Sequence, residues 1–165
     1  MSDHVRAEIV DGPLPEAEPW MVPGAGAILT FEGRVRPEEN GRPISALEYE
    51  SYDPMARAEL LRLAREAAER FALLGVEVVH SRGRVPVRCC SFRLRVAAVH
   101  RKEALAAVDW YVDRLKQEVP IWKRAAVAEG TSDRTADQTP NQTAKAPHQS
   151  IRPPRKPVRQ SHDAD

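Results

Sequence analysis

Between Leu105 and Val119 the apolar residues Leu105, Val108, Val112, Leu115 and Val119 recur at every third or fourth position, the spacing of one helix face. A helix with such a stripe must lay it on another layer, so the chain needs a sheet or a second helix to receive it. The pattern predicts a helix over about 102–118, ended by Val119-Pro120 because a residue before proline avoids the α region. Lys116 falls at the edge of the stripe rather than opposite it. A lysine there either loses water and becomes a better proton donor or nucleophile, or snorkels and keeps its ammonium solvated. Asp113, three residues earlier, offers an ordinary surface ion pair. Past the helix stop, Ile121-Trp122-Lys123 presents a second cation beside an aromatic and near carbonyls that favour positive charge. Two lysines flanking one helix end can jointly hold an anion.

The receiving layer is legible as strands. Residues 5–10 form a short mixed run, and 25–35 alternate Leu29, Phe31 and Val35 against Thr30, Glu32 and Arg34. Residues 44–52 set Leu47 and Tyr49 against Glu48 and Glu50. The last two runs are expected to pair antiparallel across the 36–42 loop, which contains the turn signal Asn40-Gly41. Asp53-Pro54 then opens a first helix, with aspartate as N-cap and proline at the first helical position. Leu60, Leu63, Ala64, Ala67, Phe71 and Leu74 supply its buried face and Gly75 its stop. A brief strand follows at 76–80 and a longer one at 84–99, with Cys90, Phe92, Leu94, Val96 and Ala98 opposite Ser91, Arg93, Arg95 and Ala97. Pro86 puts the start of that strand at an edge or bulge. Strands in runs around two helices predict an α+β fold of antiparallel strands rather than a doubly wound parallel sheet.

Of the 165 residues, those after about 128 lose apolar periodicity, and 152–159 are basic and proline-rich. Such composition cannot bury enough surface to offset ordering entropy, so a single domain over 1–127 and a disordered tail over 128–165 are expected. A net charge of +1 gives no global argument for nucleic acid or membrane. No run reaches the roughly 18 apolar residues of a spanning helix, and the N-terminus lacks a signal-peptide core, which points to a soluble cytoplasmic protein. Cys89 and Cys90 are adjacent, favouring buried structural thiols over a disulfide, and no metal site is expected.

The cations gather where elements end. Arg34 and Arg36 close one strand, His100 and Arg101 open the second helix, and Lys116 and Lys123 bracket its far end. A helix N-terminus near His100 and Arg101 suits a phosphate. His100 also reads as a helix cap, and Arg34 and Arg36 as solvation of a strand edge.

Residues 24–127 resemble the large, catalytic subunit of molybdopterin synthase, the MoaE family. The matching residues are Gly24-Ala25-Gly26-Ala27, Phe31-Glu32-Gly33-Arg34-Val35-Arg36, Leu47-Glu48-Tyr49-Glu50-Ser51-Tyr52 with Met55-Ala56, His100-Arg101, Leu115-Lys116, and Val119-Pro120-Ile121-Trp122-Lys123. The resemblance implies an α/β-hammerhead type of fold and a sulfurtransferase that converts cyclic pyranopterin monophosphate to molybdopterin. The sulfur would come from the C-terminal glycine thiocarboxylate of a small ubiquitin-like partner, within a homodimer that carries one small subunit at each end, and no cofactor is implied. Lys116 and Lys123 are the implied catalytic residues, and Phe31, Arg34, Arg36, His100, Arg101 and Arg124 the implied substrate contacts. The chain departs from the family pattern at His80-Ser81-Arg82-Gly83 (usually His-Arg-x-Gly) and at Val87-Arg88-Cys89 (usually a glycine and an acid). A third departure is Lys123-Arg124-Ala125, where a carboxylate is usual. A second function class is a non-catalytic basic module for RNA or a protein partner, built on Arg82, Arg84, Arg88, Arg93 and Arg95 of the strands together with the basic tail.

Overall fold

One strand organises the sheet. In the computed structural model, which describes residues 4–127, β5 (Gly75–Pro86) changes partners halfway along its length. Its first half pairs antiparallel with β6 (Cys90–Ala98), from Gly75 opposite Ala97 to His80 opposite Phe92. It also pairs in parallel with β1 (Val5–Asp11). Its second half pairs antiparallel with β4 (Arg42–Ser51), from Gly83 opposite Tyr49 to Pro86 opposite Ala46. Gly83 lies at this hand-over with φ 77°, a left-handed conformation that glycine adopts without a Cβ clash. Beyond these, β2 (Ala27–Arg34) lies on β6, while β3 (Glu38–Glu39) and β7 (Ile121–Val127) both pair with β4.

Two helices pack on this sheet, α1 (Met55–Arg70) and α2 (Arg101–Glu118). The main core joins Leu60, Leu63, Ala64 and Ala67 of α1 to Val76, Val78, Leu94 and Val96 of the sheet and to Ala104, Ala107 and Tyr111 of α2. Tyr111 is fully buried and its hydroxyl donates to the Leu60 carbonyl at 2.8 Å, which satisfies a polar atom the core would otherwise strand. Burial pushes its phenol well above the usual value. A smaller cluster of Val35, Ile44, Leu47 and Val85 stabilises the β4 end of the sheet.

Arg93 and Arg95 of β6 are buried by ion pairs, not exposed as their alternation with Leu94 and Val96 would suggest. Arg95 donates to Glu77 and to the Glu18 carbonyl and stacks 5.2 Å over Trp20. Arg93 donates to Glu32 at 2.9 Å and to the Pro15 carbonyl. The segment between β1 and β2 thus covers a charged sheet face, with its own carbonyls as acceptors.

The architecture is the expected α+β, but several local expectations are corrected. The 25–35 and 44–52 strands do not pair with each other, because β6 takes the place beside β2. The 84–99 run is a hairpin: 84–86 belong to β5, and Val87-Arg88-Cys89 turns the chain, with Arg88 at φ 70°. Asp53 caps no helix; its carboxylate accepts from Arg82 at 2.6 Å, and Pro54 holds the N-cap position without a side-chain bond. Helix α1 stops at Arg70, past which Ala72 turns left-handed at φ 49°, and Gly75 starts β5 instead. A Cβ on Gly75 would approach the Trp20 ring to 3.1 Å, so glycine serves packing there. Of the α2 stripe, Val108, Val112, Leu115 and Val119 pack on the core as expected, but the fully buried residues of the helix are Ala104, Ala107 and Tyr111, and Leu105 is 57% exposed. Strands β3 and β7 lie where a loop and a helix exit were expected. Cys90 is buried with its thiol donating to the Phe92 carbonyl at 3.3 Å, and Cys89 is half-buried. The proposed tail over 128–165 lies outside the described residues. Among the described residues no helix is long and apolar enough to cross a membrane.

Candidate functional site

Strand β4 and the C-terminal end of α2 border one cleft of about 580 Å³. Its apolar wall is Phe31, Leu47, Phe92, Val112, Leu115, Val119 and Ile121, and its cations are Arg34, Arg36, Lys116 and Lys123. The only carboxylate in its lining is Glu39. Four cations against one carboxylate make it an anion-attracting pocket.

Strand alternation explains which cations enter. In the β4–β7 register Lys123 lies opposite Tyr49 and Ala125 opposite Leu47, so Lys123 shares the cleft face with Tyr49. Arg124 falls on the other face, where it donates to Glu50. It therefore does not line the cleft. Arg34 reaches the cleft because the β2–β6 register shifts between Gly33 and Arg34, and a bulge re-aims the side chain that follows it. Its guanidinium donates to Glu32 at 2.7 Å and to the Arg88 carbonyl at 3.3 Å. Lys116 is exposed in the last turn of α2, and among the described residues it has no ion-pair partner. The expected pair with Asp113 is not made. Lys123 binds Glu39 at 2.7 Å, and Arg36 reaches the same carboxylate at 3.6 Å. Chiefly through the Lys123 hydrogen bond, the Glu39 carboxyl is held below its usual range.

His100 and Arg101 stand apart from this group. They begin α2, roughly 20 Å along the axis from Lys116 at 1.5 Å per residue, and neither lines the cleft. His100 holds the N-cap position with an extended backbone and makes no side-chain cap bond.

Three floor residues escaped the sequence reading as site residues. The Tyr49 hydroxyl donates to Ser91 Oγ at 2.9 Å, and Ser91 donates on to the Gly33 carbonyl at 3.3 Å. His80 lies between the Tyr49 and Phe92 rings, at 5.3 and 5.6 Å, with Nδ1 2.8 Å from the Ser81 carbonyl. A carbonyl only accepts, so Nδ1 carries the proton and Nε2 is left as an acceptor. Burial pushes the His80 imidazolium down from 6.5, against a smaller opposing effect of the Ser81 bond. With its folded value depressed, the unfolded chain takes up this proton first on acidification, so stability is lost as pH falls below 6.5. Thermal melts across that range should show a steeper loss in the wild type than in His80→Gln; parallel curves would remove His80 as the cause. Among the described residues no cluster of His, Cys, Asp or Glu is arranged to hold a metal ion.

Comparison with known proteins converges on one family. The MoaE protein model matches residues 13–118. The molybdopterin synthase catalytic subunit of Pyrococcus abyssi is 41% identical over 105 residues, covering 64% of this chain and 71% of that protein. That of Oryza sativa subsp. japonica is 38% identical over 137 residues, 78% of this chain and 70% of the relative. The crystal structure of molybdopterin synthase from Staphylococcus aureus superposes with a TM-score of 0.62 at 32% identity, over 67% of this chain and 80% of that one. With the matched stretch running from the segment that covers the β6 arginines to the last residue of α2, this chain belongs to the MoaE protein family.

Proposed function

We propose that this chain is the catalytic subunit of a molybdopterin synthase, converting cyclic pyranopterin monophosphate to molybdopterin. Sulfur comes from the C-terminal thiocarboxylate of a small ubiquitin-like partner, and the setting is the cytoplasm. The observation that carries this reading is the meeting of Lys116 and Lys123, from separate elements, in one cleft with Arg36. Both the substrate phosphate and the thiocarboxylate are anions, and a cleft with excess cations attracts them in turn. The aromatic floor of Phe31 and Phe92, 6.1 Å apart edge to face, suits a flat heterocycle. Lys116, without a counter-ion among the described residues, is the group free to donate a proton or act on the acyl carbon as sulfur is transferred. Lys123 orients the incoming carboxyl group, and Arg34 and Arg36 hold the substrate.

His100 and Arg101 enter this scheme only through a second copy. Within one chain they lie a helix length from Lys116, so a homodimer in which one α2 start approaches the other cleft is the arrangement that gives them substrate contact. The basic-module alternative loses its main support. Arg82, Arg84, Arg93 and Arg95 are all engaged with carboxylates and so are not a free basic face. Purified protein mixed with thiocarboxylated small subunit and cyclic pyranopterin monophosphate should yield molybdopterin; no product from a folded, partner-bound sample would overturn the proposal.

A further inference from the structure

Glu39 stands out as a carboxylate placed inside a cleft whose proposed ligands are all anions. Its position is fixed by a rigid device. Asn40 and Gly41 have φ of 52° and 75°, the positive pair that a tight two-residue hairpin needs, and Glu39 pairs with Arg42 across that turn. The Glu39 side chain is only 16% exposed, and its two oxygens are divided between Lys123 and Arg36. Ala125, two residues along the same face of β7, offers no charge. Glu39 is therefore the one lining group that neutralises either cation.

We propose that Glu39 is the resident counter-ion of the anion site and a positioning residue for Lys123. Before an anion arrives it holds the Lys123 ammonium and the Arg36 guanidinium at fixed places, which a flexible four-carbon stem would not hold by itself. An arriving phosphate or carboxylate must share or displace this carboxylate to reach the same two cations. The same charge that aligns Lys123 thus weakens the grip on anions, which favours release of a charged product. This inference rests on the sulfur-transfer reading for its second half and on electrostatics alone for its first.

Inorganic phosphate titrated calorimetrically into the whole protein tests the first half, with Glu39→Gln and Glu39→Asp beside the wild type. Removing a partly exposed charge should tighten phosphate binding by about threefold or more in the glutamine variant. The aspartate variant, which keeps the charge, should bind phosphate as the wild type does. In the reconstituted reaction Glu39→Gln should lower kcat while KM for the pterin does not rise, a split that loss of folding would not produce. Unchanged phosphate affinity overturns the counter-ion role whatever the turnover, and unchanged kcat overturns the positioning role. A wild type that forms no product refutes the sulfur-transfer reading and the positioning role with it, while the phosphate titration still decides the counter-ion role.

Discussion

Lys116→Ala is expected to remove molybdopterin formation, by about a hundredfold or more in kcat, the size of a lost general acid or base. Stability should move by no more than about 0.5 kcal/mol, as for other surface positions free of special features. The reason lies in what Lys116 lacks. It is exposed and has no ion-pair partner among the described residues, so truncation orphans no carboxylate. Lys123→Ala differs, because it strips Glu39 of its nearer partner. Lys116→Arg separates charge from chemistry: arginine keeps the positive field but stays protonated throughout the accessible pH range. Product measured after a single turnover, alongside thermal melts, checks all three variants, and an active Lys116→Ala protein with a normal melt would end the assignment.

The largest stability effect should come from Glu77→Ala, at about 3–5 kcal/mol, the cost of leaving one member of a buried ion pair alone. Glu77 is only 3% exposed and binds both Arg95 and Arg6. Without it the Arg95 guanidinium would keep only the Glu18 carbonyl and the Trp20 face, which cannot neutralise its charge. Urea unfolding gives the number. Removing Arg95 as well should restore part of the loss, since the stranded charge goes with it, and strict additivity of the two substitutions would argue against the pair as the cause.

What the sequence disclosed and what it hid divide along physical lines. Helix α1 was legible from Leu60, Leu63, Ala64 and Ala67, whose spacing and burial agree. Helix α2 was legible as a helix, and Val108, Val112, Leu115 and Val119 of its stripe do pack on the core, but the stripe left out the alanines at its centre and took in the exposed Leu105. Ala104 and Ala107 let the backbone approach the sheet closely, and a reading weighted by side-chain size passes over alanine. The β5–β6 turn was missed because Arg88 adopts a left-handed conformation without the glycine or asparagine that normally signals one. Strand β7 was missed because Ala125-Ala126 carries no strand preference; its pairing with β4 makes it a strand.

The candidate site was less legible than the fold. Arg34, Arg36, Lys116 and Lys123 were grouped as cations at element ends and the resemblance added Phe31; these five line one cleft, whereas His100, Arg101 and Arg124 do not. Periodicity had no means of joining them, since the contacts span elements far apart in the chain. The alternation of Leu47 with Tyr49 was a usable signal for Tyr49, because both face the same way. Glu39 gave no local signal, and its role follows from the hairpin geometry and from Lys123 lying one strand away.

The register around β4 also bears on how a minimal version of this protein can be cut. A fragment trimmed to the matched stretch, 13–118, would discard β7 and with it Lys123, along with the parallel neighbour that β1 gives β5. Glu39 would lose its nearer cation and β4 one of its flanking strands, so the shortest piece worth expressing extends to Val127 and begins ahead of Val5.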